Sequence, residues 1–394
     1  MSVLLHAHSP VRMSLGISAL FSTFIFGIGL FLPYFPVYLE GLQFTPVQIA
    51  VLASLPNLVK VVSTPLLTSL SDKSGRRRRS IALYALFCVL SLVALSQTDT
   101  YAVVFGIVLV FSFFLAPLQP LSDAYAFEAV NNCGIDYGKP RAVGSGFFII
   151  ATMFGGWYIG FGPSVHLLYF IAAAFCLLIW MALALPPMPS EHRREMQQGT
   201  VDGNELKTAS LHIMLLATGL VLGSLGALFS FGSIFWLANG LSDSQVGLLW
   251  SAGVVAEICV FLVGQRLIKR FGVFQLIIIG SLGALVRWVL FPIADGFWSA
   301  LALQLLHAFN FGMVFIALMN YLSKSISAAR LGTAQGLSQT YIGLFTGLTG
   351  VLSGWLYEMS PAYAFYSMAL IVLAGVVLLL ATRSTVERQI SATA

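Results

Sequence analysis

A few charged and titratable residues lie inside long apolar stretches of this sequence. They are Lys60, Asp123, Arg141, Glu257, Arg287 and His307. A charged side chain in hydrocarbon costs roughly 3 kcal/mol or more, so such residues commonly serve a pathway, a ligand or a partner. Carboxylate and imidazole groups can exchange protons, whereas ammonium and guanidinium groups can bind an anion. The sequence therefore offers proton transfer and anion binding at membrane depth.

The composition determines which elements hold these residues. The chain has 394 residues, of which 58% are hydrophobic and 9% are charged, and its mean hydropathy is +0.90. About 20 helical residues span the hydrocarbon layer, and apolar stretches of that length recur along the chain. This pattern predicts an all-α membrane protein with twelve transmembrane helices. The predicted segments are 15–38, 45–69, 80–97, 101–127, 141–161, 164–185, 211–238, 244–265, 273–293, 297–322, 332–357 and 362–381.

The charges in the loops predict the topology. Lys and Arg occupy one set of loops, whereas the alternate loops carry only acidic charges, namely Glu40, Asp99, Asp243, Asp295 and Glu358. Because Lys and Arg near helix ends favour the cytoplasmic side, both termini are predicted to be cytoplasmic, in the plasma (inner) membrane of a bacterial-type cell. The net charge of +5 reflects this bias and does not indicate nucleic-acid binding.

The longest polar stretch divides the predicted helices six and six. It predicts an N-terminal six-helix bundle at 1–186, a cytoplasmic linker at 187–210 and a C-terminal bundle at 211–394. Similar basic loops containing Gly75 and Gly272 follow the second and eighth segments. Two such halves, with a site between them near the midplane, are a transporter architecture. The sequence has no metal-ligand cluster and no nucleotide-binding loop, so we expect neither an enzyme nor a metal.

The C-terminal half contains a candidate proton-coupling group. Gln304, His307 and Asn310 share one face of the tenth segment, while Glu257 and Arg287 lie in the eighth and ninth. His307 titrates near neutrality. We expect Glu257 to carry a proton as Arg287 approaches and leaves it during transport. A static Glu257–Arg287 ion pair that fixes helix packing is the structural alternative.

The N-terminal half has a carboxylate and a guanidinium of its own. Asp123 lies four residues after Gln119 in the fourth segment, and Arg141 begins the fifth. If both faced one cavity, Asp123 could bind hydroxyl groups and Arg141 could bind a carboxylate through two hydrogen bonds. An ion pair between the two at the cytoplasmic helix ends is the alternative.

Lys60 is the residue that best distinguishes the candidate substrate classes. It lies in the middle of the second segment, on one helical face with Asn57 and Thr64. An ammonium there needs an acidic partner or an anionic ligand. The alternative is that Lys60 extends to the membrane interface. Together with Arg141, Lys60 favours a substrate with one carboxylate on an apolar body.

The loop after the second segment resembles a signature of the major facilitator superfamily. Residues 68–77 read TSLSDKSGRR, and the superfamily pattern is Gly-x-x-x-Asp-Lys/Arg-x-Gly-Arg-Arg/Lys, from which only Thr68 departs. The resemblance implies the twelve-helix major facilitator fold and a conformational latch in which a carboxylate pairs with guanidinium groups. The latch residues would be Asp72, Lys73, Gly75, Arg76 and Arg77. A basic loop that only sets the topology is the alternative.

Three further stretches resemble the proton symporters typified by the lactose permease and, most of all, the phenylpropionate permeases. They are residues 303–310, continuing to Tyr321, residues 136–145 and residues 246–257. Asp123 precedes Arg141 by the eighteen residues that separate the sugar-binding acid and arginine of the lactose permease.

Further positions can be compared with the lactose permease, and some match whereas one differs. Arg287 precedes His307 by twenty residues, as the corresponding pair does there. The aromatic residue that stacks on sugar in that family aligns with Phe148. Asn310 stands where that family has an acid, so the coupling role would pass to Glu257 with His307.

These resemblances imply proton-coupled uptake of a small organic or aromatic carboxylate, such as 3-phenylpropionate, by alternating access. The energy source would be the proton gradient, without a cofactor. The alternatives are a symporter of a sugar or nucleoside, favoured if Lys60 pairs with Asp123, and a drug–proton antiporter. The expected partners are the substrate, protons and the lipid bilayer, and we expect a monomer. The substrate-binding residues would be Lys60, Asn57, Asp123, Arg141, Phe148, Gln304 and Asn310.

Overall fold

Twelve long helices make up the part of the chain that the structure describes. The computed structural model describes residues 9–187 and 203–383, and those residues contain no strand. Eleven helices are long and apolar enough to cross a membrane, and the 32-residue helix Ala328–Met359 is the twelfth. The predicted all-α membrane fold is therefore confirmed. In chain order the helices are α1 (Pro10–Gly41), α2 (Pro46–Ser74), α3 (Arg77–Leu95), α4 (Tyr101–Cys133), α5 (Gly138–Ile159), α6 (His166–Ala184), α7 (Ala209–Ala238), α8 (Asp243–Phe271), α9 (Val273–Ile293), α10 (Gly296–Ser325), α11 (Ala328–Met359) and α12 (Pro361–Ala381).

The chain forms two compact units. Unit 1 contains α1, α2 from Val59 onward and α3 to α6, whereas unit 2 contains Phe44–Leu58 and α7 to α12. Within unit 1, α1 packs against α5 and α6, and α3 packs against α4 and α6. Within unit 2, α7 packs against α11 and α12, and α9 packs against α10 and α12. Residues 188–202 of the predicted linker lie outside the described residues.

Two glycines turn the chain after α2 and α8. Gly75 has a φ of +62° and Gly272 a φ of +77°. This left-handed region is open to glycine at little cost, whereas a side chain there is strained. The positive φ at both positions agrees with the internal repeat seen in the sequence. Gly75 lets α3 begin at Arg77 directly after α2.

Three helices are interrupted near the residues of interest. The helical pieces of α4 end at Leu115 and resume at Leu118, and those of α7 end at Gly223 and resume at Gly226. Pro117 lies in the first break, where proline removes a backbone donor. In α10 a π-helical turn covers Ala308–Met313. Such turns insert one extra residue and rotate the side chains that follow.

The described end of the linker is attached to α11. A short helical turn, Gly203–Lys207, contains Glu205, whose Oε2 accepts a hydrogen bond of 3.0 Å from the backbone N–H of Ser327. This hydrogen bond lowers the pKa of Glu205. Because Ser327 directly precedes α11, Glu205 caps that helix with a negative charge where the helix dipole favours one.

Candidate functional site

The acid, base and cation predicted in the C-terminal half lie together in unit 2. Glu257 Oε2 lies 3.7 Å from His307 Nε2, and Arg287 Nη1 lies 3.4 Å from His307 Nδ1. The side chains of His307 and Glu257 are 12% and 20% exposed, whereas Arg287 is fully buried. His307 therefore stands between a carboxylate and a permanent cation.

The contacts of His307 define its tautomer in this state. A guanidinium only donates hydrogen bonds, so Nδ1 facing Arg287 must accept. A neutral imidazole with an accepting Nδ1 carries its hydrogen on Nε2, which faces Glu257. A proton arriving at Glu257 thus has a titratable neighbour at 3.7 Å, close to but beyond hydrogen-bond distance.

Gln304 fixes the position of Arg287. Its Oε1 accepts a hydrogen bond from Arg287 Nη2, and its Nε2 donates to the carbonyl of Leu249 at 3.1 Å. The guanidinium also lies over the ring of Trp288, 4.7 Å from its centroid. Gln304 is 1% exposed, so its hydrogen-bonding groups are used inside unit 2, and this structure does not present them to a substrate.

Asn310 faces a different partner from Gln304 and His307. Its Nδ2 donates to Ser224 Oγ at 3.2 Å, at the break in α7, and Ser224 also accepts from Trp288 Nε1 at 2.9 Å. The expectation of one continuous polar face does not hold here, because the π-helical turn of α10 rotates Asn310 away from the regular 3.6-residue period. Ser224 and Trp288 were not singled out by the sequence analysis, and a hydrophobic segment gives no signal for them.

The structural alternative for Glu257 is a static pair with Arg287. Among the described residues, the two side chains form no ion pair within 4.0 Å, and the group that faces the Glu257 carboxylate is the neutral imidazole of His307. Arg287 instead contacts neutral groups, Gln304 and His307. The arrangement leaves the Glu257 carboxylate without a permanent countercharge in hydrogen-bond contact.

In unit 1 the Asp123 carboxylate is held by neutral donors. Gln119 Nε2 lies 3.0 and 2.9 Å from its two oxygens, and the hydroxyl of Tyr137 donates to Oδ1 at 2.9 Å. Burial first, and then the adjacent Asp123 charge, raises the pKa of Tyr137, which precedes α5. The Tyr137 hydroxyl therefore stays protonated and remains a donor at neutral pH. Tyr137 was not predicted as a site residue.

Arg141 lies beside this network without pairing with Asp123. Within the described part of the chain the two form no ion pair within 4.0 Å, and Arg141 Cζ lies 5.9 Å from the centroid of the Phe21 ring. Phe21 in turn meets Tyr137 edge-on at 6.1 Å. Phe148, the aromatic residue expected from the resemblance, lies half-buried in α5, where its backbone approaches Gly29 of α1.

Lys60 and Asn57 lie on α2, half-buried, and the structure gives neither side chain a hydrogen bond or ion pair among the described residues. Asp123, the acid that would remove Lys60 from a ligand, is already bonded to Gln119 and Tyr137. Among the described residues, neither Lys60 nor Arg141 forms an ion pair within 4.0 Å. Arg141 interacts with the Tyr137 hydroxyl and, at longer range, with the Asp123 charge.

The predicted latch loop forms a charged cluster at one end of unit 1. Arg77 Nη2 lies 2.6 Å from Asp72 Oδ1, and Arg77 Nη1 pairs with Glu128 Oε1. Glu128 is 7% exposed, and the sequence analysis did not include it in the latch. Lys73, Gly75 and Arg76 are exposed. No group of three potential metal ligands occurs among the residues that the structure describes.

Comparisons with known proteins agree with this architecture. The model of the MFS_1 like family matches residues 17–367. The "Probable 3-phenylpropionic acid transporter" of Escherichia coli (strain K12) is 26% identical over 352 residues, which cover 89% of this chain and 93% of that protein. The "Maltose permease" of Geobacillus stearothermophilus is 24% identical and covers 91% of this chain and 92% of its own length.

A solved structure shows the same fold. The crystal structure of the nucleoside transporter NupG superimposes with a TM-score of 0.81 at 21% identity, covering 94% of this chain and 98% of that one. The predicted superfamily is therefore confirmed, and the chain is a multi-pass membrane transporter rather than an enzyme. With its family model matched over residues 17–367, the chain belongs to the MFS_1 like family of the major facilitator superfamily.

Proposed function

We propose that this transporter is a proton symporter that imports a small organic carboxylate with an apolar, aromatic body. The substrate that we propose is 3-phenylpropionate or a close analogue. The observation that carries the proposal is in unit 1, where Asp123 is bonded to neutral donors and neither Lys60 nor Arg141 forms an ion pair within 4.0 Å with a residue that the structure describes. A cation at membrane depth favours an anionic ligand.

The two cations would hold the substrate carboxylate. The Arg141 guanidinium can form two parallel hydrogen bonds with it, and the Lys60 ammonium adds a point charge. Phe148, which lies in the same unit, offers an aromatic surface for the apolar body. Gln304 and Asn310 would position α10, since both are bonded inside unit 2.

Proton coupling would use the cluster of unit 2. Glu257 is the proposed proton carrier, and the Nε2–H of neutral His307 faces its carboxylate at 3.7 Å. Arg287, held by Gln304, provides a fixed positive charge next to His307. The cluster of Asp72, Arg77 and Glu128 would stabilise one conformation of the transport cycle.

A symporter of a neutral sugar or nucleoside is the second candidate. It is supported by the Gln119–Asp123–Tyr137 network, since a carboxylate with amide and hydroxyl neighbours can bind hydroxyl groups. The relation to a maltose permease is compatible with this possibility.

The test uses purified protein in liposomes that enclose a pH-sensitive dye. 3-Phenylpropionate, related aromatic acids, sugars and nucleosides are added in turn, with protein-free liposomes correcting for passive permeation of the undissociated acids. Acidification of the lumen with the acids alone would support the proposal. A response only to sugars or nucleosides would replace it with the second candidate.

A further inference from the structure

A basic cavity lies at the loop between α2 and α3. It has a volume of about 260 Å³. The residues from Arg76 to Arg79 line it together with Ser71, Asp72 and Glu128. The cavity belongs entirely to unit 1 and contains none of the residues proposed to hold the substrate.

The charges around this cavity do not cancel. Four guanidinium groups face two carboxylates, which leaves two positive charges. Arg77 pairs with both Asp72 and Glu128, and Arg78 Nη1 donates to the carbonyls of Leu183, at 3.1 Å, and Leu185. Arg76 and Arg79 are exposed and form no side-chain hydrogen bond or ion pair with the residues that the structure describes. Within the described ranges, the surplus positive charge is therefore carried by Arg76 and Arg79.

The cavity contains a buried hydroxyl group that no described residue satisfies. Ser71 is 1% exposed, lines the cavity, and its Oγ has no hydrogen-bond partner within the described ranges. A buried polar group without a partner is unfavourable and is rare in native structures. The first turn of α3 begins at Arg77, so backbone N–H groups at this helix N-terminus add further donors.

These donors match a phosphate group. Its oxygens accept several hydrogen bonds at once, and guanidinium groups, a hydroxyl and a helix N-terminus are the donors that commonly bind it. Leu66 and Leu70 near the end of α2 and Leu83 near the start of α3 are 48%, 50% and 50% exposed. Exposed apolar side chains that flank the basic residues in sequence suit a ligand that carries both a phosphate and acyl chains.

We propose that this cavity binds the phosphate group of an anionic phospholipid headgroup. Arg76 and Arg79 hold the phosphate oxygens, Ser71 donates its hydroxyl hydrogen, and the acyl chains lie along the exposed leucines. The basic loops place the cavity at the predicted cytoplasmic leaflet, where anionic lipids attract Lys and Arg. The site is independent of the substrate and of the proton carrier.

The test is native mass spectrometry of the full chain in detergent, titrated with phosphatidylglycerol, with diacylglycerol, which lacks the phosphate, and with inorganic phosphate. We expect one tightly bound phosphatidylglycerol and no comparable binding of diacylglycerol. The double variant Arg76→Gln/Arg79→Gln should weaken the binding by about tenfold or more. Ser71→Ala, which removes only the hydroxyl, should weaken it by about threefold.

Arg266→Gln/Arg270→Gln is the matched control, because both arginines are exposed in the equivalent loop region after α8. It removes the same charge and should leave the tight site unchanged. Equal affinity in the two double variants would overturn the proposal, as would equal binding of diacylglycerol. Displacement of the lipid by inorganic phosphate at equal concentration would overturn the assignment to a lipid and identify a free-phosphate site. Melting temperatures measured in parallel establish that each variant is folded.

Discussion

The two units differ in which of their charged groups, the carboxylate or the cation, is bonded to neutral partners. In unit 1 the carboxylate of Asp123 is bonded to neutral donors, and neither Lys60 nor Arg141 forms an ion pair within 4.0 Å with a residue that the structure describes. In unit 2 the cation Arg287 contacts neutral groups, and the carboxylate of Glu257 faces the neutral His307 imidazole and forms no ion pair with Arg or Lys among the described residues. In unit 1, Lys60 and Arg141 could therefore bind an anion. In unit 2, the Glu257 carboxylate could bind a proton.

This difference suggests how one transporter can separate two tasks. A cation already paired with a carboxylate would bind an anionic substrate weakly, because the substrate must displace that partner. A carboxylate paired with a guanidinium would stay ionised and could not carry a proton. Neutral partners, Gln119 and Tyr137 in one unit and Gln304 in the other, prevent both outcomes.

The largest effect is expected from Glu257→Gln, which removes the proposed proton carrier. Accumulation of 3-phenylpropionate against its gradient should be lost, because the amide cannot bind and release a proton, while exchange of internal for external substrate continues. Radiolabelled uptake and exchange in liposomes measure the two activities. Glu358→Gln is the control, since Glu358 is exposed at the end of α11. Normal accumulation in Glu257→Gln would show that the carrier is another group.

Gln304→Met tests whether a neutral acceptor is needed next to Arg287. The variant keeps the volume but leaves buried guanidinium donors without Gln304, so the free energy of unfolding should fall by about 2 kcal/mol. Denaturation in detergent measures it, and Gln304→Glu, which keeps an acceptor, should retain more stability. The exposed Gln335 provides the control, Gln335→Met. If Gln304→Met is as stable as this control, Gln304 does not hold Arg287.

Lys60→Ala examines the free cation of unit 1. The affinity for the acid should fall by about tenfold, because a charge-assisted hydrogen bond is lost. The affinity for the corresponding amide should change little, since the amide carries no charge. Competition against radiolabelled acid measures both, with the exposed Lys139→Ala as control. Equal losses for acid and amide would indicate structural damage instead of a lost charge contact.

The smallest effect is expected from Tyr137→Phe. Asp123 loses one neutral donor, so its charge attracts Arg141 more strongly, and the affinity for the acid should fall by about threefold. Because the raised pKa of Tyr137 keeps its hydroxyl protonated, the ratio of variant to wild-type affinity should stay constant across neutral pH. Tyr363→Phe, at an exposed position, is the control. A ratio that changes with pH would contradict the role of Tyr137 as a permanent donor.

Much of the fold followed from the sequence because each transmembrane segment carries its own signal. A helix in hydrocarbon must satisfy its backbone internally, so twenty apolar residues are enough to identify it. The interruption of α4 at Pro117 can also be predicted from the sequence, since proline breaks a helix. The π-helical turn at Ala308–Met313 was not, because no residue type requires it, and so the partner of Asn310 was missed.

The candidate site was harder to predict from the sequence than the fold, because only some of its residues stand out there. Glu257, Arg287 and His307 stand out as charges in apolar segments, and their proximity in unit 2 agrees with the spacing seen in the sequence. Neutral partners such as Tyr137 and Ser224 carry no comparable signal. Glu128 is an ordinary acid near a helix end, 51 residues from Arg77 in sequence, and only tertiary packing brings the two together.

The division of tasks between the units can be tested most directly by counting substrate and protons in the same liposomes. Radiolabelled 3-phenylpropionate uptake and lumenal dye response are recorded together for wild type, Lys60→Ala and Glu257→Gln, with protein-free liposomes as the background. The account predicts that Lys60→Ala lowers both fluxes in parallel and keeps their ratio, whereas Glu257→Gln retains substrate exchange and loses proton movement. If both variants changed the ratio in the same way, the two units would not perform separate tasks, and the account would be contradicted.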